Sequence, residues 1–119
     1  EIMEKLTKIS IPSYHPGKLT DRVDTSFTLG FRYPLESGYT FKEMNNANIK
    51  HFQKFLNKIS KMTVQQVDTS FALNSDKNDE YNGIPVNHYK VTDAFRIHTI
   101  FEDGVHIIIR IDPNHHFHS

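Results

Sequence analysis

The sequence predicts an α+β domain. An antiparallel β-sheet carries one main amphipathic helix, plus a short second helix, on one face, in the order β-α-α-β-β-β. Three observations point there: period-two alternation over residues 27–33, three- and four-residue apolar spacing over 41–61, and two strand-like runs flanking Glu102-Asp103-Gly104. At 119 residues the chain fits a single domain over 1–119, with an N-terminal arm over 1–22 and a core over 23–119.

The arm has weak periodicity and carries Pro12, Pro16 and Gly17. After it, Phe27, Leu29, Phe31 and Tyr33 alternate with Ser26, Thr28, Gly30 and Arg32, and Pro34 and Gly38 end the strand. Thr40 and Glu43 have capping-box spacing, in which each side chain satisfies the other residue's free backbone N–H. Behind them Phe41, Met44, Phe52, Phe55, Ile59 and Met62 line one face of a helix over 41–61. Thr63 and Gln66 repeat the spacing and open a short helix reaching about Ser70. Residues 74–83 read as a polar loop. Tyr81 stands where a calcium loop of the EF-hand type needs Gly, and Asn87 where it needs Glu, so that motif is rejected. Tyr89 and Val91 mark a short strand.

Composition excludes several classes of function. Acidic and basic residues balance at 14 each, so no global field draws the chain to nucleic acid or an anionic membrane, and any such contact needs a local patch. The absence of Cys removes disulfides, thiolate metal sites and a Cys nucleophile, and suits a cytoplasmic protein. No apolar run approaches the roughly 18 residues of a membrane span. Nine Phe and five Tyr supply large buried area despite a hydrophobic fraction of 37%, so a folded core is expected.

The C-terminal hairpin is where chemistry is expected. A two-residue Asp103-Gly104 turn would pair Glu102 with Val105; a three-residue loop would pair Phe101 with Val105. The second register sorts the faces and is preferred. It gathers Phe95, Ile97, Thr99, Phe101, Val105, Ile107, Ile109 and Ile111 on one side, with Arg96, His98, Ile100, His106, Ile108, Arg110 and Asp112 on the other. Arg96 then opposes Arg110, an arrangement favourable only with an anion between them. The same pattern is also what an ordinary solvated sheet face shows.

The expected site follows from that face. Arg96 and Arg110 bind substrate phosphate; His98, with His106 or His115, transfers protons; Asp112 orients an imidazole. No cofactor and no metal are expected, although a metal set of His98, Asp112 and His115 is the weaker alternative. A row of Lys50, Lys54, Lys58 and Lys61 along the main helix is read either as a solvated face or as a contact for a nucleic-acid backbone. His51 and His88 are expected at the surface.

Two resemblances bear on function. Arg96-Ile97-His98 and the closing Asp112-Pro113-Asn114-His115 resemble the ending of a group of small bacterial proteins of uncharacterised function, which treats His98, Asp112 and His115 as a set. More loosely, the order strand, helices, antiparallel sheet with Arg and His resembles RelE/ParE-type toxins, although these are usually basic. That likeness implies a toxin-like, metal-independent endoribonuclease or RNA-binding protein of bacterial origin, with RNA or an antitoxin-like protein as partner. The alternatives are a non-catalytic protein-interaction module and, as the weaker of the two, a metal-dependent hydrolase using His98, Asp112 and His115.

Overall fold

The computed structural model describes residues 25–73 and 78–118; the expected arm lies outside the described residues. In chain order the elements are β1 (Leu29–Gly30), a 3-10 turn (Phe41–Glu43), α1 (Asn46–Ile59), α2 (Val64–Phe71), β2 (Ala72–Leu73), β3 (Glu80–Tyr81), β4 (Ile84–Pro85), β5 (Asn87–Lys90), β6 (Arg96–Glu102), β7 (Val105–Asp112) and a closing 3-10 turn (His116–His118). The α+β class is as expected. The order is not: among the described residues six strands follow α2, where three were expected.

Local chemistry explains the helix boundaries. Thr40 and Glu43 form their capping box, but it closes only the 3-10 turn. Met44 is extended, and the main helix restarts at its own N-cap, Asn45, paired reciprocally with Asn48. The expected helix over 41–61 is therefore a turn plus a shorter helix. Thr63 and Gln66 cap α2 as expected. The period-two run over 27–33 yields only a two-residue strand, because β1 leaves the sheet after Gly30 and Phe31 is exposed.

The main sheet runs β1-β7-β6-β5-β2, with β1 parallel to β7 and every other pair antiparallel; β3 and β4 form a separate hairpin. Phe55 and Ile59 of α1 and Val64 and Val67 of α2 pack on Phe27, Tyr89, Phe95, Ile97, Ile108 and Ile111. Fully burying one such side chain contributes about 1.5–3 kcal/mol, so this layer holds helices to sheet. The opposite face has its own apolar cluster, Val86, Ile100, Ile107 and Ile109, covered by Tyr33, Tyr81 and Ile84. Both faces of β6–β7 are buried. No helix among the described residues is long and apolar enough to cross a membrane.

The hairpin register departs from the expected one. Glu102 pairs with Val105, so the turn is the two-residue Asp103-Gly104, with φ of 51° and 80°. Such left-handed pairs make the hairpin turn whose twist matches the flanking strands. Lower down the register shifts: Thr99 pairs with Ile108 but His98 with Arg110, leaving Ile109 as an extra residue. The bulge solves the face problem that favoured the longer loop. Near the tip Ile107 shares a face with Ile100; beyond the bulge Arg110 shares that same face with His98.

Candidate functional site

The bulge places Arg110 and His98 side by side on the sheet face away from the helices, where they meet the segment expected to be a polar loop. Asn82 and Gly83 have φ of 51° and 80°, the same turn geometry, and fold β3 back on β4. The hairpin is tied off by the Val86 amide donating to the Asp79 carbonyl, at 3.1 Å. Asp79 thereby comes to lie over β5 and β7.

Its carboxylate is the centre of the cluster. Oδ1 accepts from Arg110 Nη2 at 2.9 Å, and Oδ2 accepts from Arg110 Nη1 at 3.0 Å. Oδ2 also lies 2.6 Å from Nε2 of His88. Arg110 Nη1 reaches His98 Nδ1 at 3.1 Å, and since guanidinium only donates, that ring nitrogen accepts. His88 and His98 are direct partners across β5 and β6, with their rings stacked 3.9 Å apart. Glu36 completes the ring of partners, its Oε2 taking Arg110 Nε at 3.0 Å. It is positioned by its own amide, which donates to the carbonyl of the bulged Ile109.

The cluster is enclosed. Side-chain exposure is 3% for Asp79, 3% for His88 and 4% for Arg110, while His98 is wholly buried. The Phe117 ring lies 4.1 Å from the Arg110 guanidinium carbon and edge-on to both imidazoles. Burial pulls the Asp79 carboxyl towards its neutral form, but hydrogen bonds from Arg110 and His88 outweigh this and hold it below the usual carboxylate range. Burial likewise opposes the charge on Arg110, and Asp79 and Glu36 together raise its pKa above the ordinary arginine value.

The expected site residues are therefore redistributed. His98 and Arg110 do come together. His106 does not join them: its ring stacks on Phe27 at 4.2 Å and lies 4.7 Å from Phe101, on the helix side. The slip towards the turn put it on the wrong face. Arg96 pairs across the strands with Asp112, not Arg110, and its Nη1 donates to the carbonyl of Thr92 at 2.6 Å. No anion is needed to relieve an Arg–Arg clash. Both Asp112 oxygens accept backbone amides, from His116 at 2.8 Å and Phe117 at 3.0 Å, so Asp112 caps the closing turn and thereby sets Phe117 over Arg110. His115 sits at the bend into that turn with φ of 56°.

Asp79, Glu36, His88 and Phe117 were missed, and His88 is buried where the surface was expected. For Asp79 a signal existed: Asn-Gly is the strongest short hairpin signature, and it stands at 82–83. For Glu36 there was none, since the bulge that positions it is not encoded in any period.

The lysine row is a second feature. Lys50, Lys54, Lys58 and Lys61 are all exposed, none makes an ion pair among the described residues, and no Asp or Glu occurs from Met44 to Val67. Lys58 and Lys61 border an open groove of about 640 Å³ between the end of α1 and α2, floored by Met62 and flanked by Asn57, Gln66 and Ser70. Comparison with known proteins finds no family model, curated relative or solved structure that matches this chain.

Proposed function

We propose that the chain is a small RNA-binding protein that contacts the RNA backbone through the lysine edge of α1. The observation carrying this reading is the acid-free stretch around α1: four exposed lysines without acidic partners, beside an open groove, on a chain whose total charge is zero. Charge balance elsewhere makes the local patch the source of attraction; Lys50, Lys54 and Lys58 at four-residue steps on α1, continued by Lys61 just past its end, can follow a sugar–phosphate strand without reading sequence.

Cleavage by the hairpin has less support. Arg110 is held by two carboxylates and covered by Phe117, so its guanidinium is not presented to a substrate phosphate. A general base must reach its substrate, and His98 is wholly buried.

The test is binding of a fluorescein-labelled single-stranded RNA at several salt concentrations. With four lysines engaged, log affinity against log salt is expected to fall with a slope of about −3, at roughly −0.7 per phosphate neutralised on a single strand. Changing Lys50, Lys54, Lys58 and Lys61 to Gln is expected to flatten the slope. An unchanged slope in that variant, or no binding by the parent protein at low salt, contradicts the reading.

A protein partner of the antitoxin kind is favoured by one separate observation. Phe31, Phe41 and Ile49 are each more than half exposed, and the Phe31 and Phe41 rings are in contact at 5.8 Å. Co-purification with a partner that is lost on Phe31→Ser plus Phe41→Ser would support this reading; a chain that purifies alone, with or without those changes, would count against it.

A further inference from the structure

We propose that Asp79, His88 and His98 form a binding site for a divalent transition-metal ion, in which the Arg110 guanidinium is the resident cation that the metal displaces. One donor atom from each of the three residues lies within 4.8 Å of the other two, and all three side chains are buried. Two imidazoles with one carboxylate is a donor set that suits zinc, nickel, cobalt and iron(II) better than calcium or magnesium, which prefer all-oxygen shells.

The position of Arg110 is the independent observation. Its Nη1 donates at once to Asp79 Oδ2 at 3.0 Å and towards His98 Nδ1 at 3.1 Å, so a positively charged group already sits between two of the three donors. The space between these donors is thus already polarised for a cation. Charge points the same way. The cluster sets two carboxylates, Asp79 and Glu36, against one guanidinium, which leaves one negative charge when both imidazoles are neutral.

Displacement has a route. Arg110 is bonded through Nε to Glu36, whose side chain is 37% exposed, so the guanidinium can keep that partner while its Nη1 withdraws from Asp79 and His98. Asp79 Oδ1 then remains available to orient the carboxylate against Arg110 Nη2, as hydrogen-bonded carboxylates commonly do beside a metal. His88 Nε2 exchanges its contact with Asp79 Oδ2 for the ion. The metal also replaces any proton shared along that 2.6 Å contact.

The competing donors on this chain are the histidines of the C-terminal segment, His115, His116 and His118, and the test separates them. Zinc chloride is titrated into the purified full chain by calorimetry. One zinc per chain is expected, unaffected by changing His115, His116 and His118 together to Asn, and weakened at least about tenfold by either His88→Gln or His98→Gln, a loss of the size that disturbing a metal site commonly brings. Arg110→Gln removes the competing cation and is expected to tighten binding. If the glutamine variants do not fold, long-range proton–nitrogen spectra of the parent chain decide instead: zinc is expected to shift the ring nitrogens of His88 and His98. Zinc that shifts only the C-terminal histidines, binding that survives His88→Gln and His98→Gln, or no binding at all overturns the proposal.

Discussion

Asp79 holds Arg110 through both carboxylate oxygens, at 2.9 and 3.0 Å, across 31 positions of sequence. Both partners are nearly inaccessible, so removing one strands the other in a poorly solvated place. Breaking a buried pair from one side costs about 3–5 kcal/mol, whereas replacing both partners by apolar groups is often close to neutral. Asp79→Ala is expected to lose about 3 kcal/mol in urea unfolding, near the low end because Glu36 stays on Arg110. Adding Arg110→Met is expected to recover much of that loss, a non-additivity that a double-mutant cycle measures directly.

Acid sensitivity follows from the same carboxylate. The Asp79 pKa is depressed in the folded chain, so its contribution is fully present above the unfolded value of about 3.9 and is lost as pH falls through the lower folded value. In metal-free protein, stability is expected to decline below about pH 4. The Asp79→Ala, Arg110→Met variant is expected to show a shallower decline over that window, read from unfolding curves at successive pH values.

Asp112 is expected to behave as a cap. Its carboxylate accepts the first two amides of the turn as a capping side chain does, and losing a cap typically costs about 1 kcal/mol; Asp112→Ala is expected to lose about that amount while speeding hydrogen exchange at the His116 and Phe117 amides. Normal exchange at those two amides in the variant would contradict the cap.

Gly83 and Gly104 both have φ of 80°, and a Cβ added at either meets no atom within 4 Å. The cost of Gly→Ala is therefore backbone strain alone, about 1–2 kcal/mol at each turn. The two differ in reach: Gly83→Ala is expected to disturb the His88 ring signals through Asp79, and Gly104→Ala is expected to leave them in place.

Much of the fold was legible. Reciprocal capping at Thr63 and Gln66 is local chemistry and formed as read. The two long hairpin strands are declared by their own β-branched residues. What could not be read is the bulge at Ile109. Face-sorting assumed unbroken alternation, and alternation plus one extra residue mimics a one-residue change of loop length. That single ambiguity moved His106 to the wrong face and set Arg96 against Arg110 instead of Asp112. The site's other half was hidden for a different reason: Asp79 and Glu36 reach Arg110 only through long-range packing, although the Asn82-Gly83 turn announced the hairpin that carries Asp79.

RNA is expected to meet α1 and not the C-terminal hairpin. That placement is tested most directly by titrating a short single-stranded RNA into isotope-labelled protein and following backbone amide shifts. The expected result is shifts concentrated on α1 and the groove it shares with α2, around Lys54, Lys58 and Lys61, with the amides of His98 and Arg110 unmoved. Shifts confined to β6 and β7, with α1 silent, would contradict it.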